Sequence, residues 1–227
     1  MHTILITGAN RGIGLEMAKQ YSADGWKVIA CCRDPAKADE LQQLKHVPEI
    51  LPLDVANTQS IHHLIQRMAK EPIDILMNNA GVWGPKKQDF GDTDAEAMIE
   101  VFKVNTLAPL LLAEGLVKNI MAGDLKMIVN IGSMMGSMAL NSSGGDYAYR
   151  SSKAALNAIT KSMAIDLKPQ GITVIALHPG WVQSNIGGPN ASLTPKESVL
   201  TIRKYLSTLK KGDSGNLINL EGNHLAW

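Results

Sequence analysis

A doubly wound α/β fold, about seven parallel strands with helices on both faces, is what this sequence predicts. Three observations carry that prediction. Short β-rich apolar runs alternate with longer stretches of helical period over the 227 residues. Most of those runs are continuously apolar, as strands covered on both faces are. The first run, "TILIT", passes directly into the glycine-rich "GANRGIG", where a strand has to turn into a helix.

Strands are predicted over 3–7, 27–32, 50–53, 73–77, 126–131, 172–177 and 216–220, each a short apolar run. Helices fill the intervals at 12–23, 57–70, 93–119, 149–167 and 195–209. Pro169 and Gly171 stop the fourth of these, and Thr194 before Pro195 reads as an N-cap with proline at the first helical position. No repeat, low-complexity tract or linker interrupts the chain, so one domain spanning 1–227 is expected, with 187–195 as a surface loop.

Composition narrows the partners. Lys plus Arg number 22 against 21 Asp plus Glu, a formal charge of +1, which gives no electrostatic reason for nucleic acid or an anionic membrane. The most apolar long run, 106–117, contains Pro109 and Glu114 and falls far short of the ~20 residues a membrane span needs. Strand-like sequence begins at Thr3 with no signal-peptide pattern, and adjacent Cys31 and Cys32 suit no disulfide framework. A cytoplasmic protein acting on a small molecule is expected. The six histidines have no metal-ligand spacing, His62 and His63 reading as helix-surface residues, and no metal is expected.

"TGANRGIG" places Gly8, Gly12 and Gly14 where backbone amides and a helix N-terminus can take a pyrophosphate. The spacing is T-G-x-x-x-G-x-G, longer than the common Rossmann fingerprint G-x-G-x-x-G. At the end of the second strand, "ACCRDP", Asp34 stands before Pro35 and reads as a cap, whereas Arg33 together with Arg11 could grip a 2′-phosphate. Two solvated surface arginines would look the same in sequence. NADP(H) is therefore expected over NAD(H).

In "YRSSK", Tyr149 and Lys153 lie one helical turn apart on one face, so the ammonium can lower the phenol's pKa and make it an acid/base near neutral pH. The same spacing also fits an amphipathic helix with an exposed Lys. Tyr147 lies six residues from Lys153, on another side of any helix. Ser133, after the fifth strand, could bond a reacting oxygen or cap local backbone, and "NNAG" at 78–81 ends the fourth strand with a glycine that admits close approach. The methionines after Ser133, Met134, Met135 and Met138, fit either a plastic pocket or core gaps.

So ordered a set, with Asp54-Val55, Asn105 in "KVNTLA" and Pro179-Gly180, resembles the short-chain dehydrogenase/reductase family over essentially the whole chain. Through "GGDYAYRSSKAALN" and "HPGWVQS" it is most similar to the sniffer/C-factor type of carbonyl reductase. The resemblance implies a catalytic tetrad. Tyr149 is the acid/base, Lys153 its partner and a holder of the nicotinamide ribose, Ser133 orients the carbonyl, and Asn105 holds a relay water. It also implies cofactor contacts from the loop residues Gly8, Asn10, Arg11, Gly12, Ile13 and Gly14, and from Arg33. Further contacts fall to Asp54 and Val55 at the adenine, Asn79, Ala80 and Gly81 at the adenosine ribose, and Pro179, Gly180, Val182 and Ser184 toward the nicotinamide. It implies NADPH-dependent reduction of an aldehyde or ketone, or the reverse alcohol oxidation, by a homodimer or homotetramer. The alternative is an NADP(H)-binding sensor or signalling protein of C-factor type. A sugar-nucleotide epimerase is expected to need a larger carboxyl-terminal domain. The interval from Ser133 to Tyr149, containing Gly144 and Gly145, is longer than the family's usual one, and the segment after Ser184 is short, which implies a remodelled wall and a small lid over an open pocket.

Overall fold

A computed structural model describes all residues, Met1–Trp227. Its strands are β1 (Thr3–Thr7), β2 (Lys27–Cys32), β3 (Glu49–Pro52), β4 (Ile75–Asn78), β5 (Met127–Ile131), β6 (Thr173–Leu177), β7 (Leu217–Ile218) and β8 (His224–Leu225). Its helices are α1 (Gly12–Ala23), α2 (Asp39–Gln42), α3 (Thr58–Arg67), α4 (Ala95–Phe102), α5 (Ala108–Ala122), α6 (Tyr147–Asp166) and α7 (Pro195–Leu206). They form one sheet in the order β3-β2-β1-β4-β5-β6-β7-β8. Seven strands are parallel and β8 alone is antiparallel, added by a turn around Gly222. The expected seven-stranded sheet thus gains an edge strand, two residues long and with no apolar run to announce it.

Alternation within strands sorts side chains into two cores. Ile4 and Ile6 pack with Met17, Tyr21, Val199 and Ile202 of α1 and α7, while Leu5 between them packs with Ile61, Leu112 and Leu116 of α3 and α5. Cys32 and Cys31 fall on these same opposite sides, both free and buried. Each fully buried Ile or Leu here stabilises the fold by about 1.5–3 kcal/mol relative to exposure. At the amino edge, Asp74 accepts the N–H groups of Thr3 (2.7 Å), Asp124 (2.8 Å) and Leu125 (3.1 Å), tying the starts of β1 and β5 to β4. No helix is long and apolar enough to cross a membrane.

The helix expected over 93–119 is not continuous. A π-helical turn, Lys103–Leu107, separates α4 from α5. Pro109 stands four residues after Asn105 and has no N–H, so the Asn105 carbonyl loses its α-helical donor and the ladder widens there. Caps elsewhere follow the sequence: Asn57 on α3, Asp94 on α4, and on α7 a Thr194–Glu197 capping box followed by Pro195.

Candidate active site

Parallel strands share a carboxyl edge, and the strand order reverses between β1 and β4, the crevice where open α/β sheets take ligands. Every candidate residue named from the sequence lies on a loop or helix turn at this edge. At β1, Gly8 and Gly12 have φ of +65° and +55°, which favour glycine. A Cβ on Gly14 would overlap the Gly8 carbonyl oxygen and lie 2.5 Å from Asn79 Nδ2. The N-cap of α1, Arg11, makes no side-chain cap bond, and the first turn holds no acidic residue. Its leading N–H groups are therefore free to meet an anion. Asn10 and Ile13 flank this turn, half-buried.

Arg11 and Arg33 are both exposed, and neither takes part in an ion pair. Asp34, by contrast, is engaged: it caps the Ala36 N–H at 3.2 Å and pairs with Lys37 at 3.1 Å. One Asp54 oxygen accepts the Ala56 N–H, and Val55 is half-buried beside it. Asn79 binds the glycine loop itself, its Nδ2 donating to Thr7 O (2.8 Å) and Gly8 O (3.2 Å), while the Asn79 and Ala80 N–H groups bond Thr7 Oγ. After β6, Val182 is buried and bridges to Leu193, and Ser184 Oγ accepts the Gly187 N–H. Trp181, 56% exposed, closes the loop by donating to Gly187 O. The loop from Trp181 to Leu193 is folded back on itself. Ser184 Cβ lies 3.8 Å from where a Gly12 Cβ would stand, so this loop reaches the phosphate turn.

Tyr149, Lys153, Ser133 and Asn105 are all buried, between 1% and 7% exposed. Lys153 Nζ lies 5.8 Å from the centre of the Tyr149 ring and donates to Ile131 O at 2.8 Å. A Cβ on Gly81 would sit 3.4 Å from Asn105 Oδ1 and 3.7 Å from Lys153 Nζ, so both groups face this glycine at ordinary contact distance. Asn105 bonds both the N–H and the carbonyl of Val82, and donates to Ser152 Oγ at 3.0 Å. Ser133 caps the Met135 N–H at 3.1 Å, the local-backbone role, and its hydroxyl is close enough to the Tyr149 phenol to lower that group's pKa. Ser137 is drawn into its own loop, accepting the Leu140 N–H.

One expectation changes in this structure. Burial pushes the Tyr149 phenol up to about 12, against which the Ser133 hydrogen bond works. Burial pushes Lys153 down to about 8. With its ammonium directed to a main-chain carbonyl, Lys153 does not offset the desolvation of the phenol.

No sequence signal singles out Trp83 or Gln88. The Trp83 indole stacks on the Tyr149 ring, centroids 4.6 Å apart at 29°, and Gln88 Oε1 accepts the Tyr149 N–H at 3.0 Å. Neither carries a motif. Tyr147 heads α6 and is 45% exposed, away from the pair as expected. Met134 and Met138 are exposed, not core fillers, and the main-chain carbonyl of Trp227 accepts the Ala139 N–H from the same rim.

Known proteins are similar to this chain. The short chain dehydrogenase family model matches residues 2–193. The C-signal of Myxococcus xanthus is 40% identical over 156 residues, 69% of this chain and 93% of that protein. The carbonyl reductase Sniffer of D. melanogaster superposes with a TM-score of 0.91 at 32% identity, covering all of both chains. An NADPH-bound carbonyl reductase from chicken fatty liver gives 0.91 at 36%, covering 100% of this chain and 99% of that one. With the matched segment running through every strand from β1 to β6, the chain belongs to the short-chain dehydrogenase/reductase family, in the branch that holds Sniffer and C-signal.

Proposed function

We propose that the protein is an NADPH-dependent reductase of aldehydes or ketones, built as one domain over residues 1–227. The observation that carries this reading is the meeting of Ser133, Tyr149, Lys153 and Asn105 beside Gly81, at the switch point of the sheet. The open N-terminus of α1 and the unpaired Arg11 and Arg33 fit a phosphorylated dinucleotide. In this reading the glycine loop takes the pyrophosphate, the two arginines the 2′-phosphate, and Asp54 and Val55 the adenine. Asn79, Ala80 and Gly81 line the adenosine ribose, and Pro179, Gly180, Val182 and Ser184 the nicotinamide. NADP-bound structures among similar proteins support the same cofactor.

When bound, NADPH supplies the hydride that reaches the carbonyl carbon. Tyr149 supplies the proton. A phenol pushed up to about 12 is fully protonated at neutral pH, the state that donation to a carbonyl oxygen requires. The Ser133 hydroxyl orients that oxygen and stabilises the charge growing on it. Lys153, at about 8, is mostly cationic at neutral pH and in this reading holds the nicotinamide ribose. The Asn105 carbonyl, freed by Pro109, holds the water through which Tyr149 is reprotonated. Substrate enters past Val82, Met134, Trp181 and Ile186, exposed apolar side chains on the surrounding loops. Exposed Ile99, Leu107 and Ile165 on the helical side support pairing into a homodimer or homotetramer. The likeness to C-signal favours a second reading, an NADP(H)-binding signalling protein with little catalysis.

One assay separates the two. NADPH and NADH consumption is followed against aldehydes, ketones, diketones and quinones for wild type, Tyr149→Phe and Arg33→Ala. Turnover that prefers NADPH, falls by ~10²–10⁴ in Tyr149→Phe with NADPH still bound, and loses its cofactor preference in Arg33→Ala supports the reductase. NADPH binding with no turnover on any substrate supports the signalling reading.

A further inference from the structure

We infer that Gln88 is a positioning residue for Tyr149, fixing with one carboxamide both the turn of α6 that carries it and the aromatic ring that covers it. The inference rests on the reading of Tyr149 as the acid/base. Helix α6 has no cap of its own. Its N-cap, Asp146, is left-handed at φ 50° and ψ 39°, and its side chain makes no capping bond. Gly144 and Gly145 before it have φ of +66° and +64°, so the chain enters the helix through three successive left-handed residues. A non-glycine residue there is held at a cost of about 1–2 kcal/mol, and the surrounding structure has to impose it.

What the helix lacks locally comes from the loop after β4. The Tyr147 N–H donates to Gln88 O at 3.3 Å, and the Tyr149 N–H to Gln88 Oε1 at 3.0 Å. An ordinary N-cap side chain accepts from the second or third helical residue. Gln88 takes that place from 61 residues away, and the third helical residue of α6 is Tyr149. Its other end reaches back into its own loop: Nε2 donates to Trp83 O at 3.1 Å and Pro85 O at 2.9 Å. Trp83 is the residue whose indole stacks on the Tyr149 ring.

The chemistry specifies glutamine. Gln88 is 6% exposed, and reversing its amide would set N–H against N–H and oxygen against two carbonyls. A glutamate could accept from Tyr149 but would turn carboxylate oxygens toward the Trp83 and Pro85 carbonyls. Displacing a catalytic group by about 1 Å can lower a rate ~100-fold. A hold on both the backbone and the ring face of Tyr149 therefore bears on kcat more than on cofactor affinity.

Three measurements test this on the full chain. In Gln88→Leu, amide hydrogen exchange of the ligand-free protein rises by ~10-fold or more at Tyr147 and Tyr149 while the rest of α6 stays protected. Its kcat falls ~10–100-fold, and its NADPH dissociation constant stays within about twofold of wild type. Gln88→Glu, which keeps the acceptor and loses the donors, retains the Tyr149 protection and loses less of kcat. If Gln88→Leu does not fold, Gln88→Glu carries the test alone, with kcat lowered at unchanged NADPH affinity. Wild-type kcat in both variants, or equal losses of kcat and NADPH affinity, overturns the inference. Tyr149→Phe runs beside them: if it keeps full turnover the acid/base reading fails, whereas an inactive Tyr149→Phe beside a fully active Gln88→Leu sinks only the role of Gln88.

Discussion

Two helices, α1 and α6, point their N-termini at the carboxyl edge of the sheet without a side-chain cap of their own, and they differ in what meets the gap. At α1 nothing in the chain fills it: Arg11 is extended, the first turn carries no acid, and glycines keep side chains away. At α6 a residue from another loop fills it, Gln88 accepting the Tyr149 N–H. An end left open can bind an anion that comes and goes. An end closed by a distant residue is fixed relative to that residue, which suits a side chain that must hold its position through a reaction. Helices α3 and α4 show the ordinary solution, capped by Asn57 and Asp94 from their own N-caps.

Closing the open end is the severest way to break this contrast. Gly14→Ala drives a methyl group into the Gly8 carbonyl and toward Asn79 Nδ2, the pair that joins the loops after β1 and β4. Overpacking of this kind costs about 1–3 kcal/mol. The expected result is NADPH binding weakened ~10–100-fold, read by fluorescence titration, with a lowered melting temperature. Unchanged affinity would mean that the α1 turn is structural only.

The closed end is sharpened by pH. Lys153 has a folded pKa of about 8 against an ordinary 10.5, so its protonated form is disfavoured by folding. That destabilisation is complete below about pH 8 and is relieved as pH rises toward 10.5. Tyr149 works in the other direction, its folded value of about 12 penalising the phenolate only above its ordinary 10. Between pH 8 and 10 wild type should therefore gain about 2–3 kcal/mol relative to Lys153→Met, measured by urea unfolding. Parallel stability curves for the two proteins would show that Lys153 is not held in a desolvated state.

How much of this could be read beforehand depended on distance along the chain. Tyr149 and Lys153 were legible because a helical period turns four residues into one face, and the glycine loop because a strand-to-helix turn requires its glycines. Strands β1 and β2 and helix α1 match their predicted bounds for the same reason: each is a run with local signals at both ends. The break at Asn105 was legible in principle, since Pro109 stands where the donor should be, but apolar periodicity on both sides concealed it. Gln88 and Trp83 were not legible. They lie on a loop without period, and what they do depends on a helix that begins about 60 residues later. The burial that raises the Tyr149 phenol was not legible either, because sequence supplies the neighbouring charge but not the depth of burial.

The smallest effect belongs to a helix with a cap of its own. Thr194 and Glu197 close the start of α7 reciprocally, the Glu197 N–H donating to Thr194 Oγ at 3.3 Å and the Thr194 N–H to Glu197 at 2.8 Å. Both residues are exposed and only three apart in sequence, so nothing distant is fixed by the bond. Thr194→Ala should lower stability by about 1 kcal/mol and leave kcat and NADPH affinity at wild-type values, by thermal unfolding and the NADPH assay. A fall in kcat from so local a change would show that α7 also positions the loop that ends at Leu193. The contrast between borrowed and local caps would then fail.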